Sequence, residues 1–548
     1  MMKILLVACN AKFIHSNPAL YDLYSYAGPF REQLVLKEFT INQTEDEVLR
    51  EIYREEPSVV CFSCYIWNID FIRKLAGNLK KILPGTAIWA GGPEVSYEAE
   101  RVLDENPFLT GVMRGEGEKT FRSLCGCYLS GSPGLSEIRG LTYRDKGRIL
   151  TTPDREVMDL SELVFPYSDP EIFANRIIYY ESSRGCPFRC SYCLSSVDKR
   201  LRFRDISLVE KELQFFLDRK VPQVKFVDRT FNCSHAHCKA IWSYLLRHDN
   251  QVTNFHFEIA ADLLDEEELD LLKRMRPGYV QLEIGVQSTN PRTLEEIQRK
   301  MDFRRLSEVV TRIRSYGSIH QHLDLIAGLP WEDMESFKAS FEEVYRLRPD
   351  QLQLGFLKVL PGSPMAERAR EYDLVFKSNP PYEVLSTRWL SYKEILELKT
   401  VENMVEIYYN SGQFQNGIAF LEKHFGTAYE MFLALGMYYG RKGYEQISHS
   451  RMKRYEILME FFKEEGLWGE EAKECLLVDL YLREKLKKRP SFAPVSPEEE
   501  KRLRMLKKEK GLPASVHLEC MSRGRILAFD YENRDPLHHN AHVTEISG

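Results

Sequence analysis

The sequence predicts an α/β protein in three parts: a doubly wound, Rossmann-like sheet, a partial (β/α)6 barrel, and a mainly helical C-terminal domain. Three observations carry this. Short, near-continuous apolar runs separated by amphipathic stretches recur through residues 1–130, the pattern of parallel strands buried on both faces. The strand-then-helix rhythm resumes at about residue 166 and continues to 385. From residue 386 the 3.6-residue period dominates, in stretches such as "SYKEILELKTVENMVEIYYNSG". The expected domains are therefore 1–165, 166–385 and 386–548.

Length and composition agree with this division. A chain of 548 residues exceeds what one core organises, and three domains are expected. With 43% hydrophobic and 28% charged residues, disordered and fibrous classes are excluded. The apolar run "MKILLVACNA" falls far short of the roughly 20 residues that span a bilayer, so no membrane segment is expected. It also lacks an A-x-A-like cleavage site and reads as a buried strand, which makes the expected location cytoplasmic. Twelve cysteines are too dilute for a secreted disulfide scaffold and point to metal or redox chemistry. A net charge of −6 gives no global sign of nucleic-acid binding.

In the first part the strand candidates are "KILLVA" (3–8), "LVLKEFTI" (34–41), "VVCFSCYI" (59–66), "AIWAGG" (87–92) and "LTGVMRG" (109–115). Ligands of such sheets sit beyond the carboxyl ends of the strands. The loops there are "CNAKFIH" (9–15), "SCYIWN" (63–68), "GGPEVS" (91–96) and "RGEGE" (114–118), two of them glycine turns that allow close backbone approach.

In the second part the strand candidates are residues 177–183, 223–228, 254–260, 279–285, 322–328 and 351–357. Barrel chemistry sits at the carboxyl ends of strands, and the stretch "YYESSRGCPFRCSYCLSS" follows the first of them. Its thiols Cys186, Cys190 and Cys193 have the spacing C-x3-C-x2-C. Three thiolates can hold three irons of a four-iron four-sulfur cluster and leave one iron open to an outside ligand. A structural zinc site would close with a fourth protein ligand. An open corner implies chemistry.

The string "CPFRCSYC" resembles the signature of radical S-adenosylmethionine enzymes, and the barrel-like part is similar to theirs over some 220 residues. In that family the open iron is chelated by S-adenosylmethionine, and the reduced cluster cleaves the sulfonium to a 5′-deoxyadenosyl radical. The upstream strings "NAKFIHSNPAL", "FSCYIWN", "GGPEVS" and "RGEGE" resemble the cobalamin-binding domain of the cobalamin-dependent branch. The third part resembles the uncharacterised C-terminal domain of one bacterial subfamily in that branch.

The resemblance implies cofactors and residues. The cofactors are a 4Fe-4S cluster, S-adenosylmethionine and cobalamin. Cys186, Cys190 and Cys193 are the expected cluster ligands. Phe188, Tyr192, Val227, Asp228, Arg229, Glu258, Gln287, Ser288, Ile326 and Val359 are the expected S-adenosylmethionine contacts. The sequence has no plain Gly-Gly-Glu after the second strand, where "KFVDRTFN" stands instead. For cobalamin the implied residues are Asn10, Lys12, Phe13, Ile14 and His15; Ser63, Tyr65, Ile66, Trp67 and Asn68; Gly91, Gly92, Pro93 and Glu94; and Arg114, Gly115, Glu116 and Gly117. No D-x-H-x-x-G occurs in residues 1–130, so cobalt ligation by His15 is not expected, and "SCYIWN" is expected to cover the lower corrin face.

Two other features are read as structural. "NCSHAHC" (232–238) is too crowded to close a tetrahedral site within one helical turn without partners elsewhere, and the terminal His538, His539 and His542 read as surface residues. The basic run at 483–510 is a solvated face or an RNA-tracking patch that includes Lys487, Lys488 and Arg489.

The reaction expected from the branch is methyl transfer to an unactivated carbon. The alternative is cobalamin-assisted radical reduction or rearrangement, such as epoxyqueuosine reduction in tRNA. A small-molecule, peptide or tRNA substrate, an electron donor such as flavodoxin or ferredoxin, and a monomeric chain are expected. The C-terminal domain is expected at the barrel mouth, where a radical needs shielding from water.

Overall fold

The computed structural model describes residues 2–167, 173, 175–197, 200–486 and 489–546. The chain divides into two compact units. One comprises Met1–Arg274, Leu294–Met301 and Phe356–Arg388; the other comprises Met275–Thr293, Asp302–Gly355 and Trp389–Gly548.

The first unit begins with a seven-stranded sheet. Strands β1 (Ile4–Asn10), β2 (Leu34–Thr40), β3 (Val59–Ser63), β4 (Ala87–Gly91) and β5 (Gly111–Met113) run parallel in the order β2-β1-β3-β4-β5. Every residue of β1 and β3 is buried, which is why their sequences are apolar without alternation. Leu5, Val7 and Cys9 enter one core and Ile4, Leu6 and Ala8 the other, as the two-residue period of a strand requires. Helices α1 (Pro18–Tyr26), α2 (Glu45–Arg54), α3 (Ile69–Ile82), α4 (Pro93–Ser96), α5 (Ala99–Glu105) and α6 (Glu118–Ser130) connect these strands. Helix α2 starts at a capping box in which Thr44 Oγ1 accepts from Glu47 N at 3.3 Å and Glu47 Oε2 accepts from Thr44 N at 3.0 Å. Helix α3 buries Ile72, Leu75, Ala76 and Leu79 at helical spacing against β1 and β3. Truncating Leu75 to Ala there removes about 2–5 kcal/mol.

An antiparallel hairpin, β6 (Leu141–Asp145) and β7 (Arg148–Thr151), extends the sheet beyond β5. The strand candidates read from the sequence do not include it. Its signal is the pair Lys146 and Gly147, both at positive φ (47° and 79°), as a two-residue hairpin turn requires.

The same unit holds β8 (Ile178–Tyr180), a short antiparallel pair of β9 (Ser183–Arg184) and β10 (Arg202–Phe203), then β11 (Gln223–Phe226) and β12 (Asn254–Ile259). Strand β11 pairs in parallel with β8 and with β12. Helices α7 (Ile206–Asp218), α8 (His235–Arg247) and α9 (Glu266–Lys273) follow β10, β11 and β12.

The second unit carries β13 (Val280–Gln287) parallel to β14 (His320–Ala327), followed by β15 (Gln351–Phe356), with helices Phe303–Tyr316 and Met334–Arg346 between them. The six strand–helix repeats from β8 to β15 follow the rhythm of a partial (β/α)6 barrel. Helices from Tyr392–Met404 to Pro497–Glu509 then lead to a three-stranded antiparallel sheet, Val516–Cys520, Ile526–Arg534 and Ala541–Ile546. Helix Met334–Arg346 is tied to this region by Glu342 Oε1, which accepts from Tyr429 N at 2.7 Å. Arg348 Nη2 donates to Glu422 Oε2 at 2.7 Å just beyond it.

Two cations of the basic run, Arg483 and Arg489, serve the fold. Arg489 donates from Nε to Ala493 O at 3.1 Å and pairs with the fully buried Glu519, and Arg483 donates to Gly412 O at 3.1 Å. Lys487 and Lys488 lie outside the described residues. Among the described residues no helix is long and apolar enough to cross a membrane.

Candidate active site

The cysteine loop leaves β8 at Tyr180. Cys186 and Cys190 are buried and Cys193 is half-buried. Gly185 precedes the first thiol at φ +94°, and a Cβ there would lie 2.5 Å from Arg200 O, so only glycine fits. The loop is pinned on both sides of Ser191, whose N–H donates to Ile297 O and whose carbonyl accepts from Met365 N, each at 2.9 Å. Arg299 Nη1 lies 3.8 Å from Cys190 Sγ, and Cys186 Sγ lies 3.6 Å from Thr230 Oγ1. A guanidinium and a hydroxyl thus face sulfurs that must carry negative charge when they hold iron.

Three thiolates on one zinc ion would sit roughly 3.8 Å apart. The three sulfurs are not gathered within 4.8 Å of one another. Phe188 lines a cavity of about 620 Å³ beside this loop with Arg299 and Lys300, and burial raises the Tyr192 hydroxyl pKa.

Asp228 works on the same loop from the end of β11. Fully buried, it accepts from Ser182 N at 3.0 Å, Ser182 Oγ at 2.7 Å and Ser183 Oγ at 2.5 Å. Burial pushes its carboxyl up to about 6 despite these donors. Val227 donates its N–H to Tyr180 O at 2.9 Å, while the Arg229 side chain is exposed.

The remaining sequence-predicted contacts are spread over several strand ends. Glu258 is half-buried near the end of β12. In the second unit, Gln287 ends β13 at φ +73° with its Oε1 buried and without a hydrogen-bond partner among the described residues. Ser288 is fully buried and donates to Glu332 Oε1 at 2.6 Å, and Ile326 is half-buried near the end of β14. Burial pushes the Glu332 carboxyl up to about 8. In the first unit Val359 is buried, with its N–H donating to Tyr382 O at 3.0 Å.

A cavity of about 710 Å³ lies within the first unit, and both sets of loops line it. Asn10, His15, Tyr65, Trp67 and Pro93 come from the strand ends of the seven-stranded sheet, and Gly185, Leu194, Ser195, Val227 and Arg229 from the cysteine loop and the end of β11. It opens where the strand order reverses between β1 and β3, the switch point of a doubly wound sheet. Asn68 locks the loops there: its Nδ2 donates to Cys9 O at 3.0 Å and Ser63 O at 2.9 Å, and its Oδ1 accepts from Tyr65 N at 2.8 Å. Tyr65 and Trp67 stack on each other at 4.4 Å and 6° beside these loops.

His15 lines this space and is held at one ring nitrogen. Its Nδ1 lies 2.6 Å from Tyr179 Oη, and burial with Lys12 and Lys225 nearby lowers its pKa. Asn10 Nδ2 donates to His15 O at 3.0 Å and to Glu38 Oε1 at 2.9 Å.

Several implied cobalamin residues do other work. Lys12, Phe13 and Ile14 are exposed, with Arg176 over the Phe13 ring at 4.9 Å, and Ile66 is half-buried. Ser63 Oγ lies 3.5 Å from Asn17 Oδ1. Gly91 and Gly92 form a close approach, since a Cβ on Gly92 would overlap Cys64 O. Arg114 pairs with Asp154 behind Gly115, which is exposed at φ +71°, and Gly117 caps α6. Glu116 pairs with Arg202 at 2.6 Å and Arg184 at 3.4 Å and accepts from Met158 N at 3.0 Å. Glu94 accepts from Tyr382 Oη at 2.9 Å.

Asp22, Tyr179, Glu181, Arg184 and residues 163–167 also form cavity wall, and none of them is among the residues expected from the sequence. Arg184 and Glu181 stand beside the first cysteine, and that adjacency is the available signal. Burial, with Glu118 and Glu181 nearby, holds the Asp22 carboxyl well above the usual range.

The crowded "NCSHAHC" stretch resolves into separate partners. His237 Nε2 lies 2.9 Å from Ser182 Oγ, Cys238 is buried, and His235 Nδ1 lies 3.0 Å from Glu268 Oε1. His235, Asp265 and Glu268 are the one metal-like group among the described residues. Lys239 already lies 2.7 Å from Asp265, and Asp265 with Glu268 forms the capping box of α9.

Comparison with known proteins matches three regions: a B12 binding domain at residues 30–125, the Radical SAM superfamily at 180–344, and a protein domain of unknown function (DUF4080) at 370–528. The chain is 25% identical over 350 residues to an uncharacterized methyltransferase of Pyrococcus horikoshii, PH0819, covering 61% of this chain and 74% of that protein. It is 26% identical over 347 residues to the cobalamin-dependent radical SAM methyltransferase TokK of Streptomyces tokunonensis, covering 58% of this chain and 50% of TokK. In fold it is similar to the cobalamin-dependent radical enzyme OxsB (TM-score 0.61, 16% identity, 88% of this chain and 78% of that chain). It is also similar to the methyltransferase TsrM of Kitasatospora setae (TM-score 0.57, 19% identity, 69% of this chain and 78% of that chain). The two domains imply cobalamin, S-adenosylmethionine and a 4Fe-4S cluster, and the cysteine triad and the cavity lined by Tyr65 and Trp67 fit them.

Proposed function

We propose that this chain, a cobalamin-dependent radical S-adenosylmethionine enzyme, is a methyltransferase that acts on an unactivated carbon. One observation carries the reading: the cysteine loop and the Tyr65–Trp67 pair open onto the same cavity, with Leu194 and Ser195, directly after Cys193, in its wall. Two cofactor sites that share one chamber suit a reaction in which one makes a substrate radical and the other delivers a methyl group. The methyltransferase names of TokK and PH0819 support the same outcome.

When bound, the cluster supplies an electron to S-adenosylmethionine and cobalamin carries the methyl group. The chain's own residues hold and orient. Cys186, Cys190 and Cys193 offer three thiolates, and Arg299 offsets charge at Cys190. Asp228 fixes the strand end before the loop through Ser182 and Ser183. Tyr179 Oη lies 2.6 Å from His15 Nδ1, and Tyr65 and Trp67 offer an aromatic surface against which cobalamin would rest.

The balance is one substrate C–H, two S-adenosylmethionine and two electrons from a flavodoxin- or ferredoxin-like donor. These give the methylated product, methionine, 5′-deoxyadenosine and S-adenosylhomocysteine. Reduced, cobalamin-loaded protein should therefore release 5′-deoxyadenosine and S-adenosylhomocysteine in equal amounts with substrate present. 5′-Deoxyadenosine without S-adenosylhomocysteine would favour radical reduction, such as that of epoxyqueuosine in tRNA, and reject methyl transfer.

A further inference from the structure

The segment 356–388, which follows β15, belongs to the first unit and touches both cofactor loops there. Its turn at 360–365 is closed by Ser363 N donating to Leu360 O at 3.0 Å, and Ser363 is fully buried. At one end, Gly362 (φ +83°) lies against Tyr97 so closely that a Cβ would come 2.5 Å from the ring. At the other end, Met365 N donates to Ser191 O at 2.9 Å, inside the cysteine loop between Cys190 and Cys193. Tyr97 and Pro93 line the cavity from the loop after β4, and Leu194 and Ser195 line it from the cysteine loop. One short turn thus spans two walls of the same chamber.

A second contact fixes the same wall. Tyr382 Oη donates to Glu94 Oε2 at 2.9 Å, next to Pro93, and burial raises the pKa of the Glu94 carboxyl. Tyr382 is held in turn, because its carbonyl accepts from Val359 N and its own N–H donates to Asn379 O, each at 3.0 Å. The segment is anchored toward the cysteine loop by Glu296, which accepts from Tyr372 Oη and pairs with Arg368, both at 2.7 Å. The next residue, Ile297, accepts from Ser191 N.

We propose that the turn at 360–365 and Tyr382 form a brace that sets the separation between the loop after β4 and the cysteine loop, making Gly362 and Tyr382 positioning residues for the two cofactors. The inference rests on the cavity being the chamber they share. It assigns a role to Tyr382, which lies in the region matched by the domain of unknown function. Radical capture by a methyl donor depends on near-contact geometry, and a displacement of about 1 Å at such a site can cost on the order of 100-fold in rate. A chain with two cofactor loops on separate elements needs something that holds them in register.

The test uses full-length protein carrying its cluster and loaded with cob(II)alamin. Dipolar coupling between cobalt(II) and the reduced cluster, measured by electron paramagnetic resonance, reports their separation. Wild type should give one narrow distance. Tyr382→Phe, which removes one oxygen, should broaden that distribution and weaken cobalamin binding about fivefold, the worth of one hydrogen bond, with iron content unchanged. Glu94→Ala, which removes the acceptor of Tyr382, should match Tyr382→Phe. Gly362→Ala should broaden the distance further; if it does not fold, Tyr382→Phe and Glu94→Ala decide. An unchanged distance and affinity in Tyr382→Phe would overturn the brace. Wild-type protein that binds no cobalamin would instead reject the functional reading, and the brace with it.

Discussion

Arg184 Nη2 donates to Glu118 Oε1 at 2.8 Å across 66 residues of chain, and also to Glu181 Oε2 at 2.7 Å. Glu118 is the first residue of α6, and Arg184 stands two residues before Cys186. The ion pair therefore ties the seven-stranded sheet to the cysteine loop. Glu116, paired with Arg202 at 2.6 Å, also lies 3.4 Å from this guanidinium. Removing it leaves Glu118 and Glu181 without their shared cation in a largely buried place, while Glu116 keeps Arg202; a broken buried ion pair costs about 3–5 kcal/mol.

Arg184→Ala should accordingly lower unfolding stability by about that amount, and Arg184→Lys by less, because it keeps the charge while losing the planar fork that meets Glu118 and Glu181 together. Urea denaturation followed by circular dichroism reads this. A loss below about 1 kcal/mol for Arg184→Ala would show that the cluster is screened like a surface pair.

Cys190→Ala should abolish the brown absorbance of the cluster and all 5′-deoxyadenosine formation while the chain stays folded. The thiol is small and its neighbours Ser191 and Arg299 are held by other contacts. Retained 5′-deoxyadenosine would mean that the triad is not the cluster site.

Cobalamin should bind without histidine on cobalt. No D-x-H-x-x-G occurs in residues 1–130, and His15, which lines the cavity, lacks the aspartate two before it and the glycine three after it. The cobalt(II) spectrum should therefore lack superhyperfine splitting from an axial nitrogen, and His15→Ala should leave it unchanged. Nitrogen splitting that disappears in His15→Ala would contradict this.

Glu332 gives a pH dependence with a definite sign. Its folded pKa is raised to about 8 by burial, so folding favours the protonated acid. That contribution is full below the unfolded value, near 4.3, and is lost as pH rises toward 8. Wild-type stability should therefore decline between about pH 5 and 8. Glu332→Gln, neutral throughout, should flatten the decline. A parallel decline in both proteins would assign it to other groups.

The sequence is most legible where burial is complete. Strands β1 and β3 are apolar from Ile4 to Cys9 and from Val59 to Phe62 because both faces are covered, and these runs mark them. The cysteine spacing is local, so the triad is readable without a fold. Long-range polar partners are not. Asp228, expected with Val227 and Arg229 to offer backbone to S-adenosylmethionine in "KFVDRTFN", places its carboxylate on Ser182 and Ser183, 46 and 45 residues earlier. Glu116 looks like a loop residue poised for a ligand and is engaged by Arg184 and Arg202. Glu94 is met by Tyr382, 288 residues later. No periodicity encodes such pairings, because they depend on which loops the topology brings together.

The most direct measurement feeds methionine labelled with deuterium in its methyl group to cells with and without the gene, then compares small metabolites, peptides and transfer RNA by mass spectrometry. Methyl transfer predicts a compound that carries the intact three-deuterium methyl group only when the gene is present. A gene-dependent compound that carries no label, such as a transfer RNA nucleoside lacking one oxygen, would contradict it.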